Sequence, residues 1–322
     1  MLSRVAERIY WLGRYIERTE NTARLINVNS NLLLDLPRGT QIGWSMLIDI
    51  MGCNSAFDVK KAKSEELSIM YFLLSDQNSP VSIMASLRMA RENGRTTREI
   101  IPTEAWELLN DTYLFARENA GKAASRTGRS QFLKRIIERT QQFTGLLAGA
   151  MSHTSAYDFI RLGRNLERAD MSTRIIDVGS GNLITRLKAG HQQQDQESDP
   201  YDSMLWMSVL QSLSGYQMYR QHVQDRVNAE DVVAFIIQDV DFPRAVAGCL
   251  AQLVICLNRL PNAESALHSV ASTQRRISSV DIPDILEDDK LHDFIDTVQM
   301  HIASIHDDIA ATWFLPVRAE SA

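Results

Sequence analysis

Apolar residues recur every three or four positions through most of the 322-residue chain. This spacing matches the 3.6 residues per turn of an amphipathic α-helix, and no segment alternates convincingly with the period of two that a half-buried strand requires. The pattern predicts helices at about 3–31, 42–52, 62–74, 80–100, 104–120, 130–151, 154–178, 202–223, 230–238, 243–260, 263–279 and 290–313, with breaks at Pro37–Gly39 and Pro261–Asn262. The sequence therefore predicts an all-α protein.

One part of this pattern occurs twice. Residues 9–26, IYWLGRYIERTENTARLI, match residues 159–176, FIRLGRNLERADMSTRII, without a gap at an offset of 150. Residues 72–87 match residues 235–250 at an offset of 163, and Trp44 matches Trp206. Recurrence in the same order indicates a repeat architecture. We interpret the chain as a helical bundle of two diverged tandem repeats, residues 1–150 and 151–322.

The second copy is longer than the first between Ile176 and Trp206, where the offset grows from 150 to 162. This interval contains HQQQDQESDP at 191–200, which is polar and low in complexity. Such a segment is typical of a surface loop. We therefore predict an inserted loop near residues 188–202.

Charge is distributed unevenly along the chain. The net charge is -6, but residues 1–150 carry 20 basic and 16 acidic residues, whereas residues 151–322 carry 14 and 24. The first repeat is thus net basic and the second net acidic. The basic residues are 27 Arg and only 7 Lys, and a guanidinium binds carboxylates and phosphates bidentately whereas an ammonium does not.

Several functional classes are disfavoured. The acidic balance argues against general nucleic-acid binding. The longest purely apolar run, Val232–Ile237, is far shorter than the roughly 20 residues that cross a bilayer, so no membrane span is predicted. Three cysteines without pairing or zinc spacing, and a charged N-terminus, predict a cytoplasmic protein. Zinc, di-iron, P-loop and dinucleotide signatures are absent, so we predict neither a metal nor a cofactor.

The repeated segment carries two distinct faces when it is drawn as a helix. Ile9, Leu12, Ile16, Ala23 and Ile26 form the predicted core face. The opposite arc is charged, with Glu20 at its border. The predicted anion- or substrate-binding residues in this arc and in its second copy are Arg14, Arg18, Glu20, Asn21, Arg24, Arg164, Arg168, Asp170 and Arg174, with Glu17 and Glu167 as candidate catalytic residues.

Two details favour a shared polar network or site over an ordinary solvated face. Every basic position in the duplicated arc is Arg, which suits planar bidentate recognition. Gly13 and Gly163 lie mid-helix, where glycine costs up to about 1 kcal/mol relative to alanine. Close packing against another backbone or a ligand would offset that cost.

A further arginine stripe lies on the predicted helix 80–100. Its members, spaced along one helix face, are Arg88, Arg91, Arg95 and Arg98. The aligned positions in the second copy are not basic. Because like charges at this spacing repel, the stripe favours an acidic partner, including the acidic second half of the chain, and a solvated face is the alternative.

The motif Leu12-Gly13-Arg14-x-x-Glu17-Arg18-x-Glu20-Asn21, with Ala90-Arg91-Glu92-Asn93 and Trp106-Glu107-x-x-Asn110 downstream, resembles the bacterial alpha-E domain family over essentially the whole chain. The resemblance implies an all-helical protein of unknown function. It also implies, as a genomic neighbour or fusion partner, a circularly permuted ATP-grasp ligase, often with a transglutaminase-like protein nearby. Glu17, Arg14 and Arg18, with Glu167, Arg164 and Arg168 in the second copy, match the characteristic residues of the family.

Three hypotheses about function follow. In the first, the chain is a helical partner of an ATP-grasp amide or peptide ligase, and its Arg/Glu faces bind an acidic peptide, a metabolite or the ligase. In the second, it is an enzyme of the same pathway in which Glu17 or Glu167 acts as general acid or base. In the third, the arcs form only an internal salt-bridge network. The sequence leaves open whether the chain is itself an enzyme, and we rank the hypotheses in this order.

Overall fold

A computed structural model describes residues 2–36, 43–57, 65–190, 200–287 and 290–314. These residues form 14 α-helices and no β-strand. The helices are α1 (Ser3–Asp35), α2 (Ser45–Ile50), α3 (Glu65–Leu74), α4 (Ile83–Thr96), α5 (Thr103–Ala123), α6 (Arg129–Ala150), α7 (Ser155–Gly190), α8 (Pro200–Ser212), α9 (Tyr216–His222), α10 (Ala229–Gln238), α11 (Val246–Leu257), α12 (Glu264–Ser279), α13 (Ile282–Leu286) and α14 (Lys290–Trp313). The all-α prediction is confirmed.

The predicted helix boundaries need several corrections. Helix 202–223 is two helices, because Ser214 adopts a left-handed φ of 55° between α8 and α9. Helix 80–100 is shorter than expected, since Ser82 caps α4 by accepting a hydrogen bond from the backbone of Ala85 and the helix ends at Thr96. The short helix α13 has no counterpart in the prediction. A predicted break, Pro37–Gly39, lies outside the described residues, whereas Asn262 has the positive φ of a true break.

Most of the core is formed by two groups of four helices, each of which contains one of the long helices α1 and α7. In the first group α1 packs against α4 and α6, and α5 packs against both of those helices. In the second, α7 packs against α11 and α14, and α12 packs against both. The largest interface of the described residues joins α1 directly to α7, and one continuous cluster of buried apolar side chains runs through both groups.

The close approach of α1 and α7 depends on two glycines. A Cβ atom at Gly13 would lie 2.3 Å from the carbonyl oxygen of Ile160, and one at Gly163 would lie 2.1 Å from the carbonyl oxygen of Tyr10. Any larger residue would therefore collide with the backbone of the other helix. The expectation that close backbone packing offsets the cost of these mid-helix glycines is confirmed.

The predicted inserted loop near 188–202 is only partly within the described residues. Helix α7 continues to Gly190 and α8 begins at Pro200, so both ends of the predicted loop are helical, and residues 191–199 lie outside the described residues. The division into units 1–150 and 151–322 stays a prediction. No described helix contains a stretch long and apolar enough to cross a membrane.

Candidate functional site

The charged arc of α1 is buried, so it is not an ordinary solvated face. Glu17, Glu20 and Asn21 are each at most 3% exposed, and Glu167 on α7 is 2% exposed. The arcs of the two helices face each other because the glycine contact brings α1 and α7 together just before these residues. The ionic groups therefore form a network between the helices.

Glu167 is held by two arginines from α1. Arg14 donates from Nε to Oε2 at 2.7 Å, and Arg18 donates from Nε to Oε1 at 2.5 Å and from Nη2 to Oε2 at 3.0 Å. Burial opposes ionisation of this carboxyl, but the two guanidinium groups outweigh it and lower the pKa of Glu167 to about 2. Glu167 is thus a carboxylate at neutral pH.

Glu17 is held by arginines from the second half of the chain. Arg168 Nε lies 2.9 Å from Glu17 Oε2, which mirrors the contact of Arg18 with Glu167. Arg244 Nη1 lies 2.7 Å from Glu17 Oε1. These guanidinium groups overcome the opposing effect of burial and lower the pKa of Glu17.

Arg244 is a member of this network that sequence reasoning missed. Its Nη1 donates to Oδ1 of Asn21 at 2.7 Å, and its Nη2 donates to Oε1 of Glu20 at 2.8 Å. The only available signal was weak: in the aligned blocks, Arg244 follows Pro243 where Val81 follows Pro80. The segment 243–260 is predicted to be one helix, but α11 begins only at Val246, and an isolated arginine before it gives no periodicity that would mark a helix face.

The network contains more arginines than carboxylates. Glu20 pairs with Arg24 and Asp170 pairs with Arg174, each through an i,i+4 contact. The groups that we call the Arg–Glu cluster are seven arginines, Arg14, Arg18, Arg24, Arg164, Arg168, Arg174 and Arg244, and four carboxylates, Glu17, Glu20, Glu167 and Asp170. The cluster thus includes every charged predicted site residue on α1 and α7, with a surplus of three positive charges.

Arg164 differs from its counterpart Arg14. Whereas Arg14 bonds to Glu167, Nε of Arg164 is buried and lacks a hydrogen-bond partner in the part of the chain that the structure describes. Burial and the neighbouring Arg168 lower the pKa of Arg164. Arg244 contacts Glu17, the carboxylate that would otherwise be available to Arg164. This explains why the two halves of the cluster are unequal.

A cleft of about 630 Å³ opens between α1, α7 and α14, and we call it the α14 cleft. Arg14, Arg18, Asp170 and Arg174 line one side of it, and Asp296 and His306 of α14 line the other. A guanidinium has five N–H donors. The hydrogen bonds to Glu167 use one donor of Arg14 and two of Arg18, so donors remain for a ligand in the cleft.

A smaller cleft of about 290 Å³, which we call the α6 cleft, lies on the opposite side of the α1–α7 pair. It contains Arg24 and Arg168, the repeat counterparts of Arg174 and Arg18 in the α14 cleft. Its lining includes Glu20, Arg24, Arg168 and Arg244, with Gln141 and Thr144 of α6. Arg244 is buried in the α6 cleft and bonded to Glu20, so its guanidinium fills part of the space beside α1. In the part of the chain that the structure describes, no corresponding side chain fills the α14 cleft. The α14 cleft is consequently the roomier of the two sites.

A neutral polar pair adjoins Arg14 at the α14 cleft. The hydroxyl of Tyr10 lies 2.8 Å from Nδ1 of His306. Burial raises the pKa of Tyr10 to about 12, and burial together with Arg14 lowers the pKa of His306. Both groups therefore add hydrogen-bonding capacity beside the arginines without adding charge at neutral pH.

The third arginine stripe does not form a single ion-binding face. Arg98 lies beyond the end of α4, Arg88 donates to the backbone of Gln77, and exposed Arg95 pairs with Glu92. Arg91 donates to Oδ1 of Asn110 on α5 and packs over the ring of Tyr113. These contacts all lie within the first half of the chain, so among the described residues the stripe shows no pairing with the acidic second half.

The chain matches the Alpha-E family over residues 1–314, a family described as a predicted alpha-helical domain with a conserved ER motif. The chain belongs to the Alpha-E family. Two Glu-Arg pairs, Glu17-Arg18 and Glu167-Arg168, lie where α1 and α7 exchange their ion pairs. In this Alpha-E protein the acid of each pair therefore forms an ion pair with the arginine of the other.

Uncharacterized proteins of Mycobacterium bovis and of two Mycobacterium tuberculosis strains are similar to the chain, each 19% identical over 281 residues. The similarity covers 82% of the chain but only 30% of each mycobacterial protein. The Alpha-E protein thus spans about a third of the length of these relatives. No solved structure matches it significantly.

The chemistry of the cluster favours binding over proton transfer. A general acid or base works best when its pKa lies near the operating pH. Glu167, with a pKa of about 2, and Glu17, with a lowered pKa, are buried and already engaged by arginines. The surplus guanidinium groups around them can instead bind and orient a carboxylate or phosphate.

Proposed function

We propose that this Alpha-E protein is a helical partner of an ATP-grasp-type amide or peptide ligase and holds an acidic peptide or carboxylate-bearing metabolite in the α14 cleft. The observation that carries the proposal is that three arginines of the α14 cleft, Arg14, Arg18 and Arg174, share only two carboxylates of the Arg–Glu cluster, Glu167 and Asp170. Buried charge is costly unless it is paired. An anion bound in the cleft would supply the missing counter-charge.

The location of donors also supports a carboxylate ligand. Arg14 and Arg18 share a single carboxylate, Glu167, at the α14 cleft. Arg174 also lines this cleft and is a third exposed in its side chain, which leaves it accessible from solvent. Planar guanidinium groups bind carboxylates through paired hydrogen bonds, and lysines do not reproduce this geometry.

The proposal includes an origin by tandem duplication, which the arrangement of the helices supports. At the offsets found in the sequence, α1 corresponds to α7, α4 to α11 and α6 to α14. The left-handed residues Gly52 (φ 63°) and Ser214 (φ 55°) are 162 positions apart, equal to the offset of Trp44 and Trp206. One hydrogen bond also recurs at these offsets. Thr22 donates to the carbonyl of Val81, and Ser172, which corresponds to Thr22, donates to the carbonyl of Arg244, which corresponds to Val81.

The role as a partner is supported by the lengths of the relatives. In the mycobacterial proteins, the region similar to this chain is less than a third of the polypeptide. The domain therefore occurs there joined to a much longer stretch of other sequence. This is the arrangement expected of a module that acts together with a second activity.

Substitution of Arg174 by alanine tests the binding site. Titration with triglutamate is expected to show binding to the wild type and a roughly 10-fold or greater loss of affinity in Arg174→Ala, because a charged hydrogen bond contributes about 1.5–3 kcal/mol. Arg95→Ala is the matched control, since Arg95 is exposed, pairs with a glutamate on its own helix and lies outside the cleft. Equal affinities of the wild type and Arg174→Ala would exclude the cleft as the binding site.

Co-purification tests the partner. An ATP-grasp ligase encoded beside the gene is expected to elute with the Alpha-E protein, and its product formation is expected to fall when Arg174→Ala replaces the wild type. A purely structural cluster predicts neither triglutamate binding nor any effect on the ligase. If the ligase neither associates with the chain nor changes its rate, the partnership is refuted.

A further inference from the structure

A histidine lies between two carboxylates beside the Arg–Glu cluster. Asp177 of α7 and His292 of α14 place Oδ1 and Nδ1 2.8 Å apart, and Asp296, one turn after His292, places Oδ2 3.7 Å from the other ring nitrogen, Nε2. One donor atom from each side chain lies within 4.8 Å of the others. The sequence predicts no metal here, because residues 115 positions apart carry no spacing signature.

The arrangement of the ring matches that of a metal-binding histidine. Metal-binding imidazoles commonly donate one ring N–H to a carboxylate, which fixes the tautomer and leaves the other nitrogen free for the metal. When Nδ1 of His292 donates to Asp177, the lone pair of Nε2 is directed to the side of Asp296. A histidine and a carboxylate four residues apart on a helix lie on the same face and can share one ion.

The three residues are not required by the fold. At the matching positions of the first half, given the offsets of 150 and 163, the chain has Asn27, Arg129 and Leu133. There Arg129 of α6 pairs with Glu66 of α3 instead, so this part of the fold does not require any of the three donors. The Asp–His–Asp group is thus specific to the second half.

We propose that His292 and Asp296 bind a divalent cation of the zinc class, with Asp177 orienting the imidazole. Zinc accepts imidazole nitrogen and carboxylate oxygen ligands. Two protein ligands leave coordination positions open for water or for an exogenous ligand. Because Asp296 also lines the α14 cleft, an anion in that cleft is placed to fill one of these positions.

A cation at this position changes the charge of the cleft. Asp296 puts a negative charge on the wall opposite Arg14 and Arg18, which opposes the binding of an anion. A bound divalent cation offsets the charges of Asp296 and Asp177, so the group becomes neutral and no longer repels an anion in the cleft. The inference itself does not rest on the proposed function, since the metal alone is the probe in its test.

Isothermal titration calorimetry of the tag-free chain with Zn²⁺ alone tests the site. We expect about one equivalent to bind to the wild type and binding to be lost in His292→Ala. Asp177→Ala is expected to weaken binding by about 10–100-fold, as removal of an orienting carboxylate does in other metal sites. His292 and Asp296 are more than half exposed, so their substitution leaves the core intact, which circular dichroism can verify.

The controls are an exposed histidine and an exposed aspartate away from the cluster, His268→Ala and Asp49→Asn, which should titrate like the wild type. Asp177→Asn separates orientation from ligation. Its amide oxygen can still accept the Nδ1 proton, so it should recover part of the affinity that Asp177→Ala loses. No uptake of Zn²⁺ at submillimolar concentrations, or unchanged uptake by His292→Ala, would overturn the proposal.

Discussion

Replacement of Gly163 by alanine should lower the free energy of unfolding by roughly 3 kcal/mol or more. A Cβ atom at this position would lie 2.1 Å from the carbonyl oxygen of Tyr10, far inside van der Waals contact. The obstacle is backbone of another helix, so no change of rotamer relieves it. Separation of α1 and α7 would also lengthen the ion pairs between them. Gly13→Ala should behave in the same way, because its Cβ would lie 2.3 Å from Ile160 O.

Gly145 and Gly149 on α6 provide the matched control. A Cβ atom at either position would meet nothing within 4 Å. Gly145→Ala and Gly149→Ala should therefore raise stability by up to about 1 kcal/mol, the difference in helix propensity. Urea denaturation of the four variants measures the contrast. A Gly163→Ala protein as stable as the wild type would show that the helices do not approach as closely as described.

Replacement of Glu167 by glutamine should cost about 3–5 kcal/mol of folding free energy, the range found when one partner of a buried ion pair is removed. Glutamine retains the size of the side chain but leaves Arg14 and Arg18, which both bond to Glu167, without a counter-charge. Glu92→Gln is the control, because the pair of Glu92 with Arg95 is more than half exposed and such pairs contribute at most about 1 kcal/mol. Equal losses in the two variants would contradict the buried network.

The same carboxylate gives a prediction about pH. The pKa of Glu167 is lowered from its ordinary 4.5 to about 2, so the folded state binds the proton less tightly than the unfolded state. Its contribution is fully present above pH 4.5 and is lost as the pH falls toward 2. At about 1.4 kcal/mol per tenfold change in proton affinity, this amounts to roughly 3 kcal/mol. Urea denaturation at a series of pH values between 6 and 2 measures this effect. The free energy of unfolding should depend less steeply on pH in Glu167→Gln than in the wild type.

The sequence predicts the helical class well because apolar positions with a period near 3.6 dominate this chain. It also identifies Gly13 and Gly163 as sites of close packing, since a glycine inside a long helix is costly unless something compensates for it. Boundaries such as that between α8 and α9 were missed. There Ser214 takes a left-handed conformation beside Gly215, and although a Ser-Gly pair favours a turn, the apolar spacing continues across it and predicts a single helix.

The location of the charged arc could not be predicted from one helix alone. A helical wheel separates apolar from polar faces, but a polar face is buried when a second polar face of complementary charge covers it. Arg18 and Glu167 meet in this way, and only their tertiary positions reveal it. Arg244 and His292 were missed for a related reason, since each meets its carboxylate partner through packing of distant segments.

The exchange of ion pairs between α1 and α7 also bears on how the chain folds. Glu167 lies 153 and 149 positions from the two arginines that bond to it. Glu17 is likewise paired with Arg168 and Arg244, both from the second half of the chain. Contacts so distant in sequence require closure of a long loop, which slows folding relative to a bundle with local contacts. During synthesis, the Glu17 carboxylate therefore cannot form its ion pairs with Arg168 and Arg244 until α7 and the segment before α11 have left the ribosome.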